Sequence, residues 1–173
     1  TYDGYYFGLG ENGTWYTWKV RGRLKQKRFS IAAGDRVKLD AAGDEGMITE
    51  ILPRRNLLQR PLVANVDWLA AVFACADPDP SFLLIDKLLA LAEAANIPAV
   101  LVLNKADLAP EGFFARLEAV YAPLGYPVLQ VEAKNGKGLD ALLEKISDST
   151  VVFGGPSGVG KSTLLNHLNP ELS

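Results

Sequence analysis

The eight residues Gly155-Pro-Ser-Gly-Val-Gly-Lys-Ser162 constrain the fold more than any other stretch of the chain. They match G-x-x-x-x-G-K-[ST], after the apolar strand-like run Thr150–Phe153 and before the helix-like run Lys161–Leu168, which is the setting the motif requires. Glycines at these places let backbone N–H groups curl around phosphate oxygens. Lys161 can reach the β- and γ-phosphates, and the Ser162 hydroxyl can ligate Mg²⁺. The N-terminus of the following helix adds a favourable dipole. Gly155, Pro156, Ser157, Gly158, Val159, Gly160, Lys161 and Ser162 are thus the expected phosphate-binding residues. Lys161 is the expected catalytic cation, Ser162 the expected Mg²⁺ ligand.

A phosphate loop of this kind belongs to a parallel sheet, and residues 65–173 have that rhythm. Strand-like runs at Trp68–Ala74, Pro98–Leu103, Val128–Val131 and Thr150–Phe153 alternate with amphipathic runs at Phe82–Ala95, Gly112–Tyr121, Leu139–Ile146 and Lys161–Leu168. Such alternation predicts a parallel sheet covered on both faces. The second run should bury Leu84, Leu88, Leu91 and Ala95 on one helical face.

Phosphate binding does not tell adenine from guanine. Asn104-Lys-Ala-Asp107 does, at the carboxyl end of an expected strand, where open parallel sheets bind ligands. The Asp107 carboxylate can accept from guanine N1–H and the 2-amino group. Adenine offers neither donor, so a buried Asp107 would be left unpaired against it. The Lys105 stem can lie along the base, and the Asn104 amide can brace neighbouring loops. After the next strand, Val131-Glu-Ala-Lys134 resembles the S-A-K loop that G domains place against the base edge. The N–H of Ala133 would read the base and Lys134 would flank it; Glu132 stands where Ser is usual. Asn104 precedes Gly155, the reverse of an ordinary G domain. Both motifs sit on loops at one sheet edge, so moving the termini leaves the site intact.

The front of the chain differs. Residues 1–60 carry a net charge of +4 and residues 61–173 a net of −6, which points to two domains with different partners. Residues 1–55 read as short strands, Tyr5–Leu9, Thr14–Val20, Leu24–Ile31, Arg36–Leu39 and Gly46–Leu52, broken by glycine turns. Five such strands fit a small barrel of the oligonucleotide-binding (OB) type, and the pattern alone leaves an SH3-like barrel open. Residues 56–64, within a proline-bracketed, arginine-rich stretch, are expected to be a linker to the domain at 65–173. Lys19, Arg21, Arg23, Lys25 and Lys27 recur with a period of two, which puts the cations on one strand face with Trp15 at its end. Such a face can hold single-stranded RNA, or can simply be solvated.

Several features point away from chemistry. The one cysteine, Cys75, excludes a disulfide framework and fits a reducing compartment. Its apolar run, Trp68–Cys75, is far shorter than the roughly 20 residues that span a bilayer. Asp40-Ala-Ala-Gly43 spells D-x-x-G but reads as a hairpin turn, and the lone His167 as a helical surface residue.

The OB-like front, the segment Pro53-Arg-Arg-Asn-Leu-Leu-Gln-Arg-Pro-Leu-Val-Ala-Asn-Val-Asp67, and the order Asn-Lys-Ala-Asp, Glu-Ala-Lys, Gly-Pro-Ser-Gly-Val-Gly-Lys-Ser-Thr together closely resemble the circularly permuted, ribosome small-subunit-dependent GTPase A family. The resemblance covers essentially the whole chain. It implies a cytoplasmic, monomeric protein that binds GTP or GDP with Mg²⁺ and acts in late maturation of the small ribosomal subunit, touching its rRNA. It puts the base on Asn104, Lys105 and Asp107 and the phosphates on Gly155 to Thr163, and favours rRNA for the cationic face. The family continues past the P-loop helix into switch loops and a zinc-binding domain of Cys and His, so this chain is expected to be part of a longer protein whose zinc lies outside it. Two readings follow: a GTPase stimulated by the small subunit, or a nucleotide-gated rRNA-binding checkpoint with little turnover.

Overall fold

The structure, a computed structural model, describes residues 5–20, 31–42 and 45–168, and divides into two units, residues 1–65 and 66–173. In the first, strands β1 (Tyr6–Leu9), β2 (Trp15–Val20), β3 (Val37–Ala42) and β4 (Glu45–Ile51) form one sheet in the order β1-β2-β4-β3. β1 and β2 are an antiparallel hairpin, closed where the N–H of Gly13 donates to the carbonyl of Gly10 at 2.9 Å. β2 and β4 run parallel, and β3 returns antiparallel to β4 with a register shift at Lys38/Leu39. Period-two alternation sends Trp18 and Ile48 to the inner face, where both are buried. A Cβ on Gly8 would lie 2.3 Å from the Trp18 ring, so glycine is what lets the indole cross β1. The expected strand at Leu24–Ile31 falls, save Ile31, outside the described residues.

Residues 56–64 are not a linker. They form an antiparallel pair, β5 (Leu57–Gln59) and β6 (Leu62–Ala64), with Leu58 opposite Val63. The cause is burial: Leu58 and Ala64 are fully enclosed, and buried backbone there needs partners. The N–H of Ala64 donates to Ala33 at 2.7 Å, and the Asn65 side chain donates to the Gly34 carbonyl at 2.9 Å while accepting from the N–H of Arg55 at 2.9 Å. Alongside, Arg54 grips Asp35 through two bonds of 2.7 and 2.8 Å, and Asp35 also accepts from the N–H of Ala32.

The second unit is a wholly parallel sheet in the order β10-β7-β8-β9, made of β7 (Trp68–Ala74), β8 (Ala99–Asn104), β9 (Val128–Gln130) and β10 (Val151–Gly154). β7 and β8 are apolar almost throughout and occupy its centre, buried on both faces. Helices α1 (Phe82–Ala94), α2 (Phe113–Tyr121), α3 (Leu139–Ile146) and α4 (Lys161–Leu168) fill the intervals between and after the strands. Ser81 caps α1, its hydroxyl accepting from the N–H of Leu84. The buried stripe of α1 is Ile85, Leu89 and Ala92, not the expected Leu84 face. The helix is apolar nearly all round, so periodicity does not decide which face turns in. Val72, Val102, Val131, Leu142 and Leu164 anchor the core, and each buried leucine contributes about 2 kcal/mol.

Candidate nucleotide-binding site

Because all four strands of the second unit run the same way, the loops that follow them gather at one edge. The loop after β10 is the phosphate motif. Its backbone needs glycine at three places. A Cβ on Gly155 (φ +143) would lie 2.0 Å from the Val72 carbonyl oxygen, and one on Gly160 (φ +92) 2.3 Å from Asn104 Nδ2. Gly158 has φ +80, with the Pro78 ring 3.7 Å from where its Cβ would be. Val159 is buried, while Ser157 and Gly158 at the loop's tip are exposed. Lys161 Nζ donates to the carbonyls of Gly155 and Pro156, at 2.9 and 2.5 Å. The ammonium thus sits within the curve of its own loop. Ser162 and Thr163 open α4 and are exposed, so their hydroxyls are accessible at the helix N-terminus. A loop that side chains would fill, a cation held inside it and hydroxyls at a helix start together fit a nucleotide polyphosphate with Mg²⁺.

The loop after β8 carries Asn104 at its start. Asn104 is buried, and both ends of its amide are used: Nδ2 donates to the Val159 carbonyl at 2.8 Å, and Oδ1 accepts from the N–H of Ala133 at 2.9 Å. One side chain therefore ties the phosphate loop, the base-reading motif and the loop after β9 together. This corrects the expectation that the Ala133 N–H faces the base; it is spent on Asn104. Lys105 is left-handed (φ 57), and its Nζ donates to the backbone carbonyl of Asp77. Asp107 lies in the 3₁₀ turn Ala106–Leu108 and is exposed rather than buried, so any desolvation of its carboxylate would come from the bound base. Lys134 is exposed in the loop after β9.

Two parts of this edge were not foreseen. The loop after β7, Cys75–Pro80, supplies Asp77 to Lys105 and Pro78 to the P-loop tip; prolines and aspartates there signal a turn but not its neighbours. Glu132, where Ser is usual, has a structural role. It accepts from Asn135 at 3.1 Å and pairs with Lys137 at 3.0 Å, and these bonds, Asn135 first, hold its carboxyl below the ordinary range. It closes the loop that presents Ala133. Cys75, buried at the start of the loop after β7, has its thiol pushed up to about 12 by burial, with the Asp107 carboxylate adding to the shift.

The remaining candidates lie elsewhere. Trp15 and Lys19 are exposed on β2; Arg21, Arg23, Lys25 and Lys27 lie outside the described residues. Asp40, Ala41 and Ala42 of the D-x-x-G spelling are strand residues of β3 paired with β4, not the expected turn; Gly43 falls outside the described residues, and His167 is exposed on α4. Among the described residues no cluster of His, Cys, Asp and Glu could hold a metal ion, and no helix is long and apolar enough to cross a membrane.

The chain is similar to known proteins. The family model described as RsgA GTPase matches residues 51–173. A small ribosomal subunit biogenesis GTPase RsgA from Alkaliphilus metalliredigens is 42% identical over 98% of this chain and 59% of its own length. A protein of the same description from Moorella thermoacetica is 40% identical, over 99% and 59%. Among solved structures, YjeQ from Thermotoga maritima superposes with a TM-score of 0.86 at 38% identity, covering 98% of this chain and 62% of its own. YloQ, described as a circularly permuted GTPase, gives 0.83 at 33%, covering 99% and 62%. The chain thus spans about 59% of the length of these two relatives.

Proposed function

The chain belongs to the RsgA GTPase family, and we propose that it binds guanine nucleotide at this loop edge and forms part of a protein that hydrolyses GTP in response to the small ribosomal subunit, during late maturation of that subunit. The observation that carries the reading is the Asn104 amide, which joins three loops whose order in the chain is permuted. Gly155 to Thr163 cradle the phosphates. Asp107 pairs with the guanine edge, Lys105 lies along the base, and Lys134 flanks it. Mg²⁺, held by Ser162, would neutralise charge on the phosphate oxygens. Lys161 serves the reaction by leaving the carbonyls of Gly155 and Pro156 for the phosphates, where a fixed cation favours the charge that develops on transfer.

The basic front unit is the rRNA-binding part, an OB-like barrel of which the sheet β1-β2-β4-β3 is the described portion. The parallel β2–β4 pair supports that assignment over a simple meander. The protein works in the cytoplasm as a monomer, with switch loops and a zinc-binding domain supplied by the rest of the longer protein.

GTP turnover by the full-length protein, with and without small ribosomal subunits and beside a Lys161→Ala control, tests the reading. Marked stimulation that the control loses is expected. Guanine nucleotide binding without stimulated turnover would leave a nucleotide-gated rRNA-binding module instead.

A further inference from the structure

The β1–β2 hairpin carries two sets of aromatic side chains, and only one of them packs. On the inner face Trp18 is 6% exposed and stacks on Tyr16, with ring centroids 5.8 Å apart. On the other face Phe7 is 62%, Leu9 59% and Trp15 71% exposed. The register puts Leu9 opposite Trp15 and Phe7 opposite Thr17, so the Phe7 and Trp15 rings are diagonal neighbours on one surface. At the end of that surface Lys19 Nζ sits 4.9 Å from the centroid of the Tyr5 ring. One cation and a run of aromatic and apolar area therefore share one hairpin face. Three large apolar side chains this exposed and side by side are uncommon on a soluble domain without a partner.

We propose that Phe7 and Trp15 form a stacking platform for unpaired RNA bases, with Leu9 filling the space beside Trp15 and Lys19 taking the phosphate that joins the bases. The proposal rests on the reading of the front unit as the rRNA-binding part and names the RNA feature it takes: single-stranded, splayed bases, not duplex. Charge complementarity favours RNA over a protein partner, since residues 1–60 are net +4 while the platform itself carries Lys19 and no acid. Base–aromatic stacking tolerates any base because every base has a π-face, whereas a duplex hides those faces. Sequence periodicity points to the cations and Trp15 alone. Phe7 and Leu9 join them only through the hairpin register.

The full-length protein should be titrated with a labelled single-stranded RNA of about 12 nucleotides, its duplex, and a strand of the same length with abasic sugars, over a salt series. Wild type is expected to bind the intact strand about tenfold or more better than the abasic one. Phe7→Ala and Trp15→Ala should each remove much of that margin and leave the salt slope alone. Trp15→Phe should restore it. Lys19→Ala should lower the slope by about one. Equal binding of intact and abasic strands would overturn the stacking platform while leaving an electrostatic RNA contact in place. No binding to any RNA would overturn both. Variants that bind RNA normally but lose the small subunit would assign the face to a protein.

Discussion

Asn104 and Val159 lie 55 residues apart in the chain, and the side-chain amide of the first donates to the carbonyl of the second at 2.8 Å. With the Ala133 N–H on its oxygen, Asn104 is the joint of the site. Replacing it by Ala removes both bonds and leaves a buried carbonyl and a buried N–H without partners. Asn104→Ala should cost about 2–4 kcal/mol in chemical denaturation and weaken GDP binding at least about tenfold. An unchanged GDP affinity would mean that the three loops are held by something else.

The phosphate loop should be intolerant of a single methyl group. Gly160→Ala would put a carbon against the Asn104 amide and Gly155→Ala one against the Val72 carbonyl, both at positive φ. Each should abolish measurable GDP binding and lower the melting temperature. Gly13→Ala is the comparison: its φ is also positive, but a Cβ there meets nothing within 4 Å. It should cost only about 1 kcal/mol and leave GDP binding intact.

Asp35 is 1% and Arg54 22% exposed at their side chains, joined by a pair of hydrogen bonds. Arg54→Ala strands a buried carboxylate and should destabilise the chain by about 3 kcal/mol. The readout is hydrogen exchange at the Ala32 amide, which donates to Asp35, and it should speed up without any change in GDP affinity.

Alkaline pH should weaken the nucleotide-binding unit. Burial raises the Cys75 thiol from 9.0 to about 12, so the folded state favours the protonated form. That contribution is whole below pH 9 and is lost as pH rises from 9 towards 12, by at most about 1.4 kcal/mol per pH unit. Tyr121, raised first by burial and then by its bond to Asp86, acts in the same direction. Denaturation midpoints across this range should fall less steeply in Cys75→Ala.

The features legible in the sequence share one property: their chemistry is fixed by residue type at short spacing. Gly155 to Ser162 and Asn104 to Asp107 are of that kind, and strand β7 announces itself by an unbroken apolar run. What stayed hidden depends on register or on distant partners. An apparent linker is a hairpin in which Leu58 and Ala64 are buried and residues 33–34 bond Ala64 and Asn65. Ile85 rather than Leu84 faces the core of an all-round apolar helix. Asp77 meets Lys105 only because β7 and β8 are neighbours in the sheet. Phe7 looked like any strand residue until its face proved to be the outer one.

The most direct test of the permuted guanine site is calorimetric titration of the full-length protein with GDP, ADP and xanthosine diphosphate, in wild type and Asp107→Asn. Wild type should prefer GDP to ADP by at least about a hundredfold. Asp107→Asn should lose GDP and gain xanthosine diphosphate, because its C2 carbonyl accepts from the side-chain amide N–H introduced at that position, where the guanine 2-amino group donates to the Asp107 carboxylate. Equal affinities for GDP and ADP, or a variant that still prefers GDP, would contradict the assignment of Asp107 and with it the reading of this loop edge as a guanine-nucleotide site.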